Sequence, residues 1–320
     1  MRDYIIRRVL LMIPTLLLVT VVVFLTIRLI PGDVVELMVM EHAQTAGGEQ
    51  IDVAAIRQML GMDVPPQVQY MRWIEGMLLH GDLGTSLWTG QSVTEDILLR
   101  LPITFELGLM AFIIAQLIAL PIGLYSAIRQ DTPGDYVGRS FAIICLAVPG
   151  FWLGTMIMVF PSIWWGWAPS PVYIPFKEDA LANVGQFLIP AALLGMAMAG
   201  VTMRMLRTTM LEVLRQDYVR TAWSKGLTER VVIIRHALRN ALIPVVTIIS
   251  GQIPILIGGA VIIEQIFSLP GMGRLFLDAI MRRDYPFVSG INMLLASVGM
   301  VLILLTDLSY AYLDPRIRYR

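Results

Sequence analysis

Six long stretches of this chain contain no Asp, Glu, Lys or Arg, and they limit the folds that it can adopt. They cover residues 9–27, 107–128, 140–176, 180–203, 241–263 and 285–306. Each is comparable in length to the roughly 20 residues that an α-helix needs to cross a bilayer. A membrane β-barrel would instead show short segments of alternating hydrophobicity. We therefore predict an all-α, polytopic membrane protein with six transmembrane helices.

Composition agrees with this interpretation and excludes several classes of function. Apolar residues make up 57% of the chain and charged residues 15%, whereas soluble domains carry about 25% charged residues. The net charge is zero, so we expect no nucleic-acid partner. A single cysteine, Cys145, rules out a disulfide framework. The three histidines His42, His80 and His236 are far apart in the sequence, so we predict no metal site.

The distribution of basic residues predicts the orientation. They cluster in the segments on the N-terminal side of the membrane, around Arg7, at 129–139, at 204–240 and after residue 313. By the positive-inside rule, those segments and both termini are cytoplasmic. The predicted layout is a first transmembrane helix at 1–30, an external segment at 31–101, a five-helix core at 102–312 that includes the cytoplasmic loop 204–240, and a tail at 313–320.

Two external regions have structure of their own in this prediction. The segment 31–101 shows helical spacing of apolar residues around Met59 and around Met71, interrupted at Gly61, Pro65 and Pro66. The tract 161–176 carries Trp164, Trp165, Trp167 and Tyr173 among several prolines. We interpret it as an aromatic belt at the membrane surface with a non-helical turn.

The loop 204–240 contains a pattern suited to a protein partner. If 211–225 is one helix, then Leu211, Leu214, Tyr218 and Ala222 form an apolar stripe, with Arg220 on the opposite side. Gly226 can end that helix in a left-handed conformation, and a second helical pattern begins at Val231. A short helix that presents such a stripe suits insertion into a groove of a partner.

Several blocks along the chain resemble one family of transporters. They read RRxLxxIPTLLxVxxxxFxxxRLIPGD at 7–33, GDLGTS at 81–86, LRLPxTxEL at 99–107, YVRTAxxKG at 218–226, RHALRNALIPVVT at 235–247 and EQIFSLPGMGRL at 264–275. The set is similar to the dipeptide and oligopeptide (peptide/nickel) subfamily of ABC importer permeases, of the first-permease type. In the general loop pattern of these permeases, Glu-Ala-Ala-x-x-x-Gly, Ala222 and Gly226 match, while Arg220 and Thr221 differ.

The resemblance implies a type I importer permease fold and a set of partners. These are a homologous second permease, two cytoplasmic ATPase subunits that bind ATP and Mg, an external solute-binding protein, and the surrounding membrane lipid; this chain would hold no cofactor. It also implies that the loop couples to the ATPases through Asp217, Tyr218, Val219, Arg220, Thr221, Ala222, Lys225, Gly226 and Leu227. Dipeptides or oligopeptides are the implied substrates, with nickel chelates, glutathione and oligosaccharides as alternatives.

The sequence lacks the motifs of an enzyme. The two lysines, Lys177 and Lys225, do not follow a glycine, so a phosphate-binding Gly-Lys loop is excluded. We therefore predict a non-catalytic subunit in the inner membrane. An ion-driven secondary transporter is the alternative from another class, and it would require inverted repeats and ionisable residues at mid-membrane depth.

Polar and helix-bending residues near the spans are candidates for the translocation path. Arg28, Glu106, Glu264 and Asp307 fall at predicted span ends, where placement at the membrane interface is expected. Gln116 and Gln252 lie deeper, and Pro254 with its neighbouring glycines predicts a bent fifth span. The candidate path residues are Gln116, Gln252, Pro254 and Glu264. On the fourth span, Gly195 and Gly200 predict close helix packing.

Overall fold

The computed structural model describes residues 2–28, 34–45, 53–170 and 172–313, and these ranges are helical apart from short connections. The helices are α1 Arg2–Arg28, α2 Val34–Thr45, α3 Val53–Met59, α4 Pro66–Glu75, α5 Val93–Ile128, α6 Pro133–Ala147, α7 Gly150–Trp165, α8 Ala180–Leu214, α9 Asp217–Ser224, α10 Glu229–Val231, α11 Arg239–Ile266, α12 Met272–Arg282 and α13 Tyr285–Leu313. A π-helical turn, Gly76–His80, continues α4, and a π-helical segment, Val232–Leu238, joins α10 to α11.

Five segments are long and apolar enough to cross a membrane. They are Ile6–Thr26, Val93–Ile128, Ala180–Leu214, Glu229–Leu256 and Tyr285–Thr306. The pair α6 and α7 adds a sixth span if it is counted as one, although it bends by 90°. The predicted all-α polytopic fold is confirmed.

The third predicted span, 140–176, is not one straight helix. Helix α6 ends where Val148 turns to extended dihedrals (φ −89°, ψ 120°), and Pro149 is also extended. The cause is Pro149, because the proline ring clashes with a helical conformation of the residue before it. The helix therefore breaks inside the charge-free stretch 140–176 rather than at its end.

The first compact unit comprises Met1–Pro102 with Gly271–Met300. Its core is formed by buried side chains that include Val34, Val35, Val93, Ile97, Met272 and Ile291. The Asp284 carboxylate accepts hydrogen bonds from Ser86 Oγ at 2.6 Å and from the Leu87 N–H at 3.2 Å. Burial raises the pKa of Asp284 despite these bonds. This polar contact fixes the GDLGTS block against the start of α13.

The helices predicted in the external segment are present, but the apolar spacing around Met71 does not mark a buried face. Gly61 adopts φ +64°, and Pro66 begins α4, so the predicted interruptions are confirmed. Met71 and Leu78, however, are 65% and 66% exposed. These side chains are left uncovered by the rest of the first unit.

The second compact unit comprises Ile103–Pro270 with Val301–Arg320, and α8 is its central helix. A Cβ added at Gly195 would lie 2.4 Å from the Ala111 carbonyl oxygen of α5, and one added at Gly200 would lie 2.9 Å from the Ala142 carbonyl oxygen of α6. The predicted close packing at both glycines is confirmed. Small residues at such positions let helix backbones approach one another where lipid offers no hydrophobic driving force.

The aromatic tract after α7 divides into two parts. Gly166 ends α7 with φ +63°, and the non-helical turn follows as predicted. The indoles of Trp164, Trp165 and Trp167 are exposed, whereas Tyr173 packs edge-on against Phe187 with ring centroids 6.3 Å apart. Tyr173 is therefore part of the packing of the second unit rather than of the exposed belt.

We predict that Gly195→Ala destabilises the protein by about 1–3 kcal/mol, the usual cost of overpacking a tight contact. The new Cβ would displace α5 from α8. Gly185→Ala on the same helix is the control, because no atom lies within 4 Å of a Cβ there. Thermal unfolding in detergent should show a lower midpoint for Gly195→Ala only, and equal midpoints for the two variants would contradict the close contact.

Candidate functional site

The basic loop between α8 and α11 forms a separate short helix rather than an extension of α8. Helix α8 ends at Leu214, and Gln216 is extended with φ −75° and ψ 147°. The Gln216 carbonyl then accepts from the N–H groups of Val219 and Arg220, at 3.0 and 3.2 Å, and so starts α9. The prediction of one helix over 211–225 is wrong at this break.

The break changes which side of α9 faces the protein. Val219 is fully buried and Ala222 is 6% exposed, and both pack with Val232, Val213 and Leu214. The predicted stripe that joined Tyr218 to Ala222 as one docking face is therefore corrected. Arg215 and Gln216 lie between the two helices and change the helical phase. As a result, Val219 rather than Tyr218 lies with Ala222 on the side of α9 that packs against the protein.

A polar contact fixes the start of α9 to the beginning of α11. The Asn240 side-chain amide donates to Tyr218 Oη at 2.9 Å and to the His236 carbonyl oxygen at 3.0 Å. Tyr218 itself is 44% exposed. Together with the buried Val219 and Ala222, this contact holds α9 against the end of α8 and the π-helical segment that leads into α11.

Gly226 ends this element as predicted. Its φ is +75°, and its N–H donates to the Trp223 carbonyl oxygen at 3.0 Å. No atom lies within 4 Å of a Cβ built at this position. The need for glycine is therefore conformational, since L-residues with side chains rarely adopt positive φ, and is not a matter of space.

The outer side of the loop combines exposed apolar and basic side chains, which we name the loop surface. Its apolar members are Tyr218, Trp223, Leu227, Val231 and Ile234, and its basic members are Arg220, Lys225, Arg230 and Arg235. The Arg220–Asp217 pair, at 3.5 Å, is highly exposed and contributes little to stability. Such a surface suits a partner protein that offers apolar pockets with acidic residues around them.

The four candidate path residues do not form one cluster. Gln252 lines a cavity of about 380 Å³ whose other walls are apolar side chains of α7, α8 and α11. Pro254 lies within α11 but outside that lining. Gln116 has both amide atoms buried without a hydrogen-bond partner among the described residues. The predicted bend at Pro254 stays a prediction, because α11 is one helix through this residue.

Glu264 is buried inside the second unit, so its carboxylate is surrounded by protein groups, and its placement at a membrane interface stays a prediction. Its side chain is 0% exposed, and Thr104 Oγ1 donates to Glu264 Oε1 at 2.5 Å. The contact connects α5 to α11 inside the second unit. A carboxylate in such surroundings is stabilised by hydrogen bonds rather than by water.

Sequence reasoning missed an ion pair between α6 and α8. Arg207 donates through Nε and Nη2 to the two Asp135 carboxylate oxygens, at 2.8 and 2.7 Å, and the Asp131 N–H adds a bond of 3.0 Å. The Asp135 side chain is completely buried. The connection 129–139 carries two acidic residues, Asp131 and Asp135, but nothing in the sequence selects Asp135 as the partner of Arg207, which is 72 residues away in the chain.

We predict that Ala222→Glu separates α9 from the α8 end and the π-helical segment on which it packs. The larger, charged side chain cannot share the space with Val232 and Leu214. Thr221→Glu is the control, since Thr221 is the neighbouring residue and its side chain is exposed. Limited proteolysis of the purified chain should cut near 217–226 faster in Ala222→Glu than in Thr221→Glu. Equal cleavage rates would show that the inner face of α9 contributes nothing to its position.

Comparison with known proteins gives matches along the whole chain. Residues 119–319 match the family described as "Binding-protein-dependent transport system inner membrane component", and residues 1–108 match its N-terminal membrane component family. A putative peptide transport system permease protein of Brucella abortus is 40% identical over 319 residues, covering 100% of both chains. The oligopeptide transport system permease protein AppB of Bacillus subtilis is 40% identical and the glutathione transport system permease protein GsiC of Pectobacterium atrosepticum is 39% identical, each again with 100% coverage of both chains.

A solved structure supports the fold independently. The crystal structure of an amino acid ABC transporter with histidines matches this chain with a TM-score of 0.50 and 15% identity. The match covers 70% of this chain and 95% of the other. At this identity the comparison shows the helical permease fold and nothing about the transported molecule.

Proposed function

Since this chain belongs to the family of binding-protein-dependent transport system inner membrane components, we propose that it is the membrane subunit of an ATP-driven importer of short peptides. The support for the substrate class comes from full-length relatives whose names specify peptides, oligopeptides and glutathione. Glutathione is itself a tripeptide, so these names share one chemical class. Selection among peptides would rest largely with an external solute-binding protein.

The energy for import would come from other subunits. Neither lysine of this chain follows a glycine, so no phosphate-binding Gly-Lys loop is present in the sequence. We infer that two cytoplasmic ATPase subunits bind ATP and Mg, and that a second, homologous permease completes the path. The loop surface, with its exposed apolar and basic residues, is the proposed contact with one ATPase.

The observation that carries this proposal is the attachment of α9 to α11. An ATPase that holds the exposed side of α9 would move a helix that is fixed to α11 through Asn240. The buried Val219 and Ala222 fix the same helix to the end of α8 and to the π-helical segment that leads into α11. Helix α11 also lines the cavity that contains Gln252. Coupling requires that the ATPases bind α9 differently in their open and closed states, and the attachment would then transmit that difference into the membrane.

We propose that the loop 204–240 and both termini are cytoplasmic and that 31–101 is external, from the distribution of basic residues. The matched variants Thr89→Cys and Thr221→Cys, in a Cys145→Ala background, test this orientation. Both positions are exposed, so in a chain expressed without the ATPase subunits access depends on sidedness. A membrane-impermeant maleimide applied to spheroplasts should label Thr89→Cys and not Thr221→Cys, and the reverse pattern would overturn the orientation.

We predict that Trp223→Ala weakens binding of the ATPase subunit and lowers transport by about tenfold or more, as expected for an aromatic interface anchor. Trp223 is 44% exposed and can be removed without opening the core. Trp167→Ala is the control, because Trp167 is similarly exposed but lies in the aromatic tract. Co-purification with the ATPases and peptide-stimulated ATP hydrolysis are the measurements. Normal transport by Trp223→Ala would remove the loop surface from the mechanism.

A further inference from the structure

The first unit contains a pocket of about 250 Å³ beside the end of α1. Its apolar wall is formed by Phe24, Leu60, Met62, Trp73, Leu87 and Tyr285. The polar side chains in the lining are Arg28, Gln69, Arg72 and Ser289, with no carboxylate among the described lining residues. The pocket is therefore apolar on one side and positively charged on the other.

Arg28 is held in this pocket by neutral groups. Its guanidinium lies 3.6 Å from the centroid of the Phe24 ring, and Nη2 donates to Gln69 Oε1 at 2.5 Å. Gln69 is oriented in turn by its own bond to the Val64 carbonyl oxygen, at 2.8 Å. Neither the ring nor the amide carries a negative charge, so in the described part of the chain the positive charge of Arg28 is not compensated.

A donor in the apolar wall of the pocket lacks a hydrogen-bond acceptor within the ranges that the structure describes. The indole N–H of Trp73 is buried and has no hydrogen-bond acceptor among the described residues. Buried donors are normally satisfied, and one that is not calls for an explanation. A ligand with several acceptor oxygens would accept from this N–H and would compensate the charge of Arg28 at the same time.

The position of the pocket indicates where such a ligand comes from. The charge-free stretch 9–27 ends at the residue before Arg28, about 1.5 Å along the helix. Helix α1 also exposes apolar side chains along its length, including Leu10, Leu11, Leu17 and Leu18. An anion bound at Arg28 would thus lie at the membrane surface, with a lipid-facing helix leading away from it.

We propose that this pocket binds the phosphodiester headgroup of a membrane phospholipid. Arg28 and Trp73 donate to the phosphate oxygens, and the acyl chains follow the exposed side of α1. Arginine matches phosphate well because its planar guanidinium presents several N–H donors in a fixed geometry. An acidic segment of a partner protein is the competing occupant, but the small pocket beside a lipid-facing helix favours a headgroup.

Binding of short-chain phosphatidylglycerol to the full-length protein in detergent, followed by native mass spectrometry, tests this proposal. Arg28→Gln should weaken binding about tenfold or more, the effect of losing a charge-assisted hydrogen bond. Trp73→Phe keeps the aromatic packing and removes the N–H, so it should weaken binding severalfold with an unchanged unfolding midpoint. Arg7→Gln, at the other end of the same helix, is the control and should bind normally.

The remaining measurements separate the sources of the anion. Phosphatidylethanolamine should bind at the same site, because it carries the same phosphodiester. If inorganic phosphate competes at equal concentration, the site belongs to free phosphate and the lipid proposal is wrong. If Arg28→Gln and Trp73→Phe bind lipid normally but lose affinity for the solute-binding protein, the occupant is a protein segment and the proposal is also overturned.

Discussion

In the interior of a bilayer every backbone N–H and C=O must find its hydrogen bond within the protein, and the rest of this structure follows from that requirement. Helices satisfy it within one segment, which is why the charge-free stretches are helical. Helices α5 and α8 have 36 and 35 residues, and at 1.5 Å per residue each is more than 50 Å long. They exceed the roughly 30 Å hydrocarbon core, so both extend beyond the membrane.

The length of α8 determines where the loop begins. Because α8 continues past the membrane-spanning part, α9 begins outside the apolar region, and the break at Gln216 turns a new face toward the chain. The inner face packs and the outer face stays exposed. The same short helix is therefore fixed to the membrane-spanning part on one side and accessible on the other, the arrangement that the proposed coupling to an ATPase requires.

Buried charged residues have different partners in the two units. Asp135 is paired with Arg207 in a bidentate contact, and Glu264 accepts from Thr104. Arg28, in the first unit, has neutral neighbours instead. The first two contacts hold helices together, whereas the third leaves a charge that a ligand can compensate.

The sequence alone determined the helical membrane fold, the left-handed residue at Gly226 and the close packing at Gly195 and Gly200, because hydrophobic length and backbone conformation are local properties. The family blocks likewise identified the transporter class, and the full-length relatives confirm it. Only the tertiary structure decided which face of α9 is buried, that Glu264 is internal, and that Arg207 meets Asp135. Those outcomes depend on a two-residue break in helical phase and on contacts between helices distant in the chain, and neither is encoded in the periodicity of a single segment.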